Sequence, residues 1–292
     1  MQIINGKQLS QKIRTDIKQQ VDAMTAAGQR PPHLAVVLVG DDPASQTYVA
    51  AKARACTECG IRGSVHHLPA TTTQRELLDL VNALNNDSDV DGFIVQLPLP
   101  DHIDTGAVIA AIDPDKDVDG FTPVNIGRLV LGLDAFLPAT PAGILQILDH
   151  YNIDTQGKHC VVVGRSNIVG KPLANLLMQK SQRGAGATVT VCHTATPDLA
   201  SHTRRADILI TAAGHPGLIT ADMVKPGSVV IDVGIARVPD STKKSGSRLC
   251  GDVDFDAVAP LCSFITPVPG GVGPMTIASL LTNTMKARQA RM

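Results

Sequence analysis

Tyr48 and Lys52 stand four residues apart in DPASQTYVAAKARACTECGI, a spacing that puts both on one face of a helix. Asp42 is a suitable N-cap and Pro43 a suitable first helical residue, so this helix begins directly after an apolar run ending at Val39. Open α/β sheets place ligands at the carboxyl ends of their strands, where a tyrosine and a lysine paired in this way could meet one. The spacing alone equally allows an ordinary surface pair, with Lys52 solvated and Tyr48 half buried. Gln96 closes a second apolar run in DVDGFIVQLPLP, where two prolines halt the ladder; it either faces the same crevice as Lys52 or caps a strand end. The acidic segment DPDKDVDGFTP contains Asp119-Gly120, a turn dipeptide that could project a carboxylate into a polar pocket. Its aspartates lack the downstream glutamate of a calcium loop.

Phosphate binding is the chemistry suggested by KHCVVVGRSNIVGKPLANLL, in which a buried strand ends at Gly164 and a helix begins near Gly170. Strand, tight glycine turn and helix together aim backbone N–H groups at an anion. The spacing departs from the dinucleotide fingerprint, because Ser166 replaces the second glycine and the last glycine is displaced to Gly170. A turn that merely packs a helix on a sheet would use glycines too. The next run, Thr188–Cys192, leads into Cys192-His193-Thr194 and offers no acid for a ribose 2′-hydroxyl, while Arg165 in the turn suits a 2′-phosphate. NADP is therefore favoured over NAD. In ITPVPGGVGPMTIASLLTNTM, the residues Pro267, Pro269, Gly270, Gly271, Gly273 and Pro274 precede an amphipathic helix. So rigid and side-chain-poor a loop lets a flat ligand approach the backbone, or simply serves as a helix entry.

The elements that must position these residues are βαβ units. Short apolar runs at Leu34–Val39, Gly92–Val95, Cys160–Val163, Thr188–Cys192, Ile208–Thr211 and Val229–Val233 alternate with amphipathic stretches, which predicts parallel strands covered by helices on both faces. The segment Leu137-Pro-Ala-Thr-Pro-Ala-Gly, with Thr140 as N-cap and Pro141 at the first helical position, separates two such series and marks a domain boundary. Ser181–Ala187 and Pro239–Arg248 are rich in Ser, Gly and charge and read as surface loops. The expected fold is two-domain α/β: an N-terminal α/β domain and a Rossmann-like domain with a cleft between them.

Composition narrows the function. A chain of 292 residues, 43% hydrophobic, has material for two ordinary cores. Lys plus Arg total 26 against 27 Asp plus Glu, so no strong field exists to hold nucleic acid or an anionic membrane, and a small-molecule partner is expected. No apolar run is long enough for a membrane span, and the start lacks a signal-peptide core. Six scattered cysteines are too few for a disulfide scaffold in so long a chain and fit a reducing cytoplasm. Cys56 and Cys59 form a CxxC inside a helix with no partner motif, so they are read as packing residues; His66-His67 is read as an exposed pair, and no metal is expected.

Taken together, PASQTYVAAKARACTECGI, DGFIVQLPLP, PDKDVDGFTPVNIGRL, VVVGRSNIVGKPLANLL and PVPGGVGPMTIASLL resemble the bifunctional methylenetetrahydrofolate dehydrogenase/cyclohydrolase family, from the first residues to the last helix. The resemblance implies a folate-binding catalytic domain of residues 1–138 completed by 274–292, an NADP-binding Rossmann-type domain of residues 139–273, and a homodimer. It implies catalytic or substrate roles for four side chains: Lys52 as general acid/base, Tyr48 packing on the folate, Gln96 bonding Lys52, and Asp119 binding the pterin. Val95, Gln96 and Leu97, with Pro269, Gly270, Gly271, Val272 and Gly273, would line the folate pocket. Gly164, Arg165, Ser166, Thr194 and Ile235 would contact NADP, although the family often has serine where Thr194 stands. No fused ligase domain is expected, which leaves the two-step enzyme: oxidation of methylenetetrahydrofolate, then hydrolysis of the methenyl product.

Overall fold

The computed structural model describes residues 1–180, 185–243 and 246–291. In chain order its regular elements are β1 (Gln2–Ile3), α1 (Gly6–Ala26), β2 (His33–Val39), α2 (Pro43–Glu58), β3 (Arg62–Leu68), α3 (Gln74–Asn86), β4 (Gly92–Val95), α4 (Thr105–Ala110), α5 (Pro123–Val130) and α6 (Ala139–His150). There follow β5 (His159–Val163), α7 (Gly170–Leu177), β6 (Thr188–Cys192), α8 (Leu199–Thr203), β7 (Ile208–Thr211), β8 (Val229–Asp232), β9 (Ala236–Pro239), β10 (Ser247–Cys250), α9 (Phe255–Val258), β11 (Phe264–Ile265) and α10 (Val272–Gln289). Among the described residues no helix is long and apolar enough to cross a membrane.

The chain divides into two compact units, one of residues 1–10 with 140–276 and the other of residues 11–139 with 277–292. The second unit is built on a parallel sheet ordered β3-β2-β4. β2 and β4 are buried along their whole length, as continuous apolar runs in parallel strands should be. One face of this sheet packs Val37, Phe93 and Val95 against Leu77 and Val81 of α3. The other packs Val36, Leu38 and Ile94 with Cys56 of α2 and with Leu281 and Met285 of α10, so the last helix completes this core. Cys56 and Cys59 are buried packing residues, each 1% exposed.

The first unit carries a six-stranded sheet ordered β1-β11-β8-β7-β5-β6, parallel throughout, the Rossmann-like arrangement expected of alternating strands and helices. Its first strand, β1, comes from the chain's opening residues and pairs with β11, a two-residue addition too short to leave a signal in the sequence.

Four expectations need correction. β6 is not covered on both faces: it is the sheet edge, hydrogen-bonded only to β5, and Val191 is 37% exposed. The helix expected to start after Thr140 starts at Ala139, which places Thr140 and Pro141 inside its first turn, where proline's missing N–H costs nothing. Thr140 instead shares a hydroxyl hydrogen bond with Thr276 at 3.1 Å. The segment Pro239–Arg248 is the turn and flanks of an antiparallel hairpin, β9 with β10, rather than a plain loop. Finally, His66 and His67 lie on β3, where alternation exposes His67 and half buries His66. The Ser181–Gly184 part of the other expected loop, and residues 244–245 of the hairpin, lie outside the described residues.

Candidate active site

In the second unit α2 starts as its sequence dictates. The Asp42 carboxylate accepts from the Ser45 N–H at 2.7 Å, and Pro43 occupies the first turn. Two turns of helix then bring Tyr48 and Lys52 onto one face. Lys52 is half-buried; Tyr48 is 45% exposed, an aromatic face with its apolar area open to a ligand.

Gln96 directly follows β4, and its backbone N–H still bonds the Val37 carbonyl of β2 at 2.8 Å, so the side chain leaves a fixed strand end. Its Nε2 donates to the Leu97 carbonyl at 2.7 Å, which turns Oε1 toward Lys52, and Lys52 Nζ donates to that oxygen at 2.9 Å. An amide oxygen accepts from an ammonium and from a neutral amine alike, so Gln96 can hold Lys52 in either protonation state.

Asp119 belongs to the 116–122 turn, which is pinned from several sides. Asp117 accepts from the N–H groups of Phe121 (3.1 Å) and Thr122 (2.8 Å) and from Asn125 Nδ2 (2.9 Å). Gly120 has φ +72°, and a methyl there would meet the backbone of Leu137 and Pro138 at 2.7 Å, so only glycine fits. From α10, Asn283 Nδ2 donates to the carbonyls of Val118 (2.8 Å) and Leu137 (2.9 Å). Lys116 is consumed structurally: 3% exposed, it donates to the Leu84 and Asp87 carbonyls at the end of α3.

The electrostatics of the site follow from this packing. Burial pulls the Lys52 pKa down from the usual lysine range, opposed by the Asp119 carboxylate. Burial likewise pushes the Asp119 carboxyl up; the Lys52 charge opposes that shift and Asp117 adds to it. The Cys56 thiol, pushed up to about 12 by burial, stays protonated and inert. A lysine whose pKa is lowered and whose amine is held by an amide has the chemistry to give and take a proton.

The glycine turn is in the first unit. Gly164 directly follows β5 with φ +128°, and its N–H bonds the Cys192 carbonyl at 2.8 Å. A methyl on Gly164 would overlap the Ala212 carbonyl, and one on Gly170 would overlap the Gly164 carbonyl. Helix α7 thus sits as close to the strand end as backbone allows. Ser166 Oγ accepts from the Val169 N–H at 3.1 Å. Among the described residues the backbone N–H groups of Arg165, Ser166, Asn167 and Ile168 have no partner in the chain, and the side chains of these residues are exposed. A run of free donors at a helix start suits a phosphate. Thr194 is exposed just beyond β6, and Ile235, 48% exposed, follows Gly234 beyond β8. No acid stands at the end of β6, and the Arg165 side chain in the turn is exposed.

Lys52, Gln96, Asp119, Tyr48, Val95 and Leu97 therefore all belong to the second unit, whereas Pro269–Gly273 belongs to the first. In that loop Gly271 N–H bonds the Pro267 carbonyl at 2.9 Å and Gly270 accepts from the Lys7 N–H at 3.0 Å. The helix begins at Val272, so Gly273 and Pro274 lie within its first turn rather than before it. Sequence reasoning missed the bracing groups Asp117, Asn125 and Asn283: Asp117 is one acid among several in DPDKDVDGFTP, and Asn125 and Asn283 are single amides within helices.

Comparison with known proteins agrees with this geometry. Residues 4–119 match the catalytic-domain model, and residues 138–292 the NAD(P)-binding-domain model, of tetrahydrofolate dehydrogenase/cyclohydrolase. The bifunctional protein FolD of Phocaeicola vulgatus is 58% identical over 287 residues, 98% of each chain. The crystal structure of the bifunctional FolD of Campylobacter jejuni superposes with a TM-score of 0.93 at 52% identity, covering 100% of both chains. The Trypanosoma brucei methylenetetrahydrofolate dehydrogenase-cyclohydrolase, solved with NADP and an inhibitor, gives 0.93 at 39% identity, covering 99% of this chain and 98% of that one. With both domain models matched and identity this high over the full length, the chain belongs to the tetrahydrofolate dehydrogenase/cyclohydrolase family.

Proposed function

We propose that this protein oxidises methylenetetrahydrofolate to methenyltetrahydrofolate with NADP and then hydrolyses the methenyl product to formyltetrahydrofolate. The observation that carries the reading is the half-buried Lys52, its pKa lowered by burial, bonded to Gln96 and facing the Asp119 charge.

When bound, NADP supplies a hydride acceptor for the one-carbon unit. The free N–H groups of Arg165 through Ile168 would hold its pyrophosphate, with Gly164 and Ser166 shaping the turn. Arg165 would pair with the 2′-phosphate, and Thr194 and Ile235 would contact the remainder. On the folate side, Tyr48 packs against the ring system and orients it, Asp119 accepts hydrogen bonds from the pterin, and Val95 and Leu97 line the pocket. The carbocation formed by oxidation is stabilised by the folate's own nitrogens, so that step needs orientation more than proton transfer. In the hydrolytic step Lys52 takes one proton from the water that attacks the methenyl carbon and returns it to the ring nitrogen as that C–N bond breaks, while the second water proton leaves to solvent as the formyl C=O forms. Gln96 keeps the amine in place throughout.

Residues 139–273 then form the NADP-binding domain, to whose sheet the opening strand β1 is added, and residues 1–138 with 274–292 the folate-binding one. The active protein is a homodimer, which light scattering would test. Its place is the cytoplasm, in keeping with six free cysteines spread along the chain.

The test is absorbance at the NADPH and methenyl bands after mixing protein, methylenetetrahydrofolate and NADP, with NAD in parallel. NADPH should appear without methenyl accumulating. Methenyl accumulation would leave a dehydrogenase alone, and no change with either cofactor would leave a nucleotide-binding protein without turnover.

A further inference from the structure

Two more carboxylates are buried in the first unit, and the chemistry above uses neither. Asp232 closes β8 and is 3% exposed; Asp252 lies just beyond β10 and is 1% exposed. Burying a carboxylate is costly unless donors surround it. Here backbone N–H groups do so, and among the described residues neither acid has an ion-pair partner. Asp232 Oδ1 accepts from the N–H groups of Gly234 (2.9 Å) and Asp252 (3.0 Å) and from the Thr211 hydroxyl (3.2 Å), and its Oδ2 accepts from the Val253 N–H (3.0 Å). Asp252 Oδ2 accepts from the N–H groups of Ala213 (2.7 Å) and Gly214 (3.2 Å), and its Oδ1 from that of His215 (2.8 Å).

Three successive N–H groups converging on one anion, with Gly214 at φ +68°, form an anion nest, and the protein fills it with its own Asp252. Sterics enforce the arrangement. A methyl on Gly251 would overlap the Asp232 carboxylate, and one on Gly234 would overlap that of Asp252. The two acids therefore tie together the segments leaving β7, β8 and β10. β7 and β8 run parallel to β5, so residues 213–215 and 234–235 leave the sheet at the same edge as the Gly164 turn, and Gly164 itself packs on Ala212. A dinucleotide lies across that edge. With its phosphates at the Gly164–Gly170 turn and its 2′-phosphate toward β6, its other half falls on the β7 and β8 side.

We infer that Asp252, backed by Asp232, is a positioning residue for the cofactor: through backbone N–H groups it fixes Ala213–His215 and Gly234–Ile235 as the surface that receives the nicotinamide half. This rests on the NADP reading of the first unit. The carboxylates never touch the cofactor; they act through the loops they hold.

Asp252→Asn keeps the shape of the side chain but leaves only one end able to accept, while N–H donors face both. Losing part of a charge-assisted set should raise the NADP Kd, measured by calorimetry on the full chain, about tenfold, with the dehydrogenase KM for NADP rising in step. Methenyl hydrolysis assayed without cofactor, and its pH profile, should stay at the wild-type level, because Lys52, Gln96 and Asp119 are in the other unit. A lower Tm with Kd and KM within twofold of wild type would show the pair to be structural only and overturn the inference. Gly214→Ala decides the matter if Asp252→Asn fails to fold. That site is exposed, an added methyl meets nothing within 4 Å, and the strain falls on the nest alone. The NADP Kd should rise several-fold in Gly214→Ala, and an unchanged Kd refutes the positioning role. A wild-type protein inert toward folate would sink the proposed function while leaving the brace to be judged on Kd.

Discussion

The two candidate sites recognise their ligands by different physical means. Around Lys52 the work falls to side chains: an amine taken partly out of water, an amide that holds it in either charge state, and a carboxylate whose own pKa is raised by the same burial. Around Gly164 the work falls to backbone. Glycines remove the Cβ atoms that would keep strand and helix apart, a run of N–H groups is left free, and the neighbouring side chains are exposed. Chemistry that moves protons needs a titratable group with a shifted pKa, whereas holding a pyrophosphate needs oriented dipoles and close approach. The contrast predicts that substitutions will separate the two activities cleanly.

Lys52→Met should produce the largest effect. Loss of the general acid/base should slow methenyl hydrolysis by about 1,000-fold, while NADP still binds with wild-type affinity. The stability change has the opposite sign. Because the folded-state pKa of Lys52 lies below its unfolded value, the protonated lysine costs stability at every pH below the folded pKa, and the cost fades as pH rises toward 10.5. Removing the amine at pH 7 should therefore leave Tm equal or higher, by calorimetry. In the wild type the hydrolysis rate should climb with pH through a midpoint below the ordinary lysine range. A rate independent of pH from 6 to 10 would mean that Lys52 is not the base.

Gly170→Ala attacks the other region. A methyl there overlaps the Gly164 carbonyl, so the start of α7 must move away from the strand and the free N–H groups move with it. Overpacking of this kind should weaken NADP binding about 10- to 100-fold, with cofactor-free methenyl hydrolysis unaffected. Equal loss of both activities would show that the backbone-built site and the side-chain-built site are not separable. Arg165→Ser should act more narrowly, lowering the preference for NADP over NAD about tenfold in kcat/KM while NAD turnover holds steady.

The same contrast explains what could be read in advance. The glycine turn is legible because Gly164 and Gly170 are irreplaceable at fixed positions, and β2, β4, β5, β7 and β8 are legible because burial on both faces demands unbroken apolar runs. β3, Arg62–Leu68, escapes notice: as the edge of its sheet it is exposed or half-buried throughout, and Gly63 and two histidines disguise it. The hairpin of β9 and β10 hides for the same reason, since charge and serine read as loop. Tyr48 and Lys52 could be placed on one helix face from their spacing, but the bond of Lys52 to Gln96 is a long-range contact that no local pattern encodes. Asp232 and Asp252 are harder still. Each looks like a surface acid after a strand, and only the fold shows that both are buried among N–H donors.

The smallest expected effect tests whether the folate side depends on scaffolding as the cofactor side does. Asn283 reaches from α10 to the carbonyls of Val118 and Leu137, on either side of the contact between Gly120 and the 136–138 backbone. Asn283→Ala leaves both carbonyls without that donor and should cost about 1–3 kcal/mol of stability by denaturant unfolding. The turn that presents Asp119 keeps its Asp117 and Asn125 bonds, so it should loosen rather than collapse. KM for folate should then rise only a few-fold, with the NADP Kd and the Lys52-dependent pH midpoint unmoved. If instead the pH midpoint shifts upward toward ordinary lysine, water has reached Lys52, and the α10 brace acts on the proton-transfer group as well as on the turn that carries Asp119.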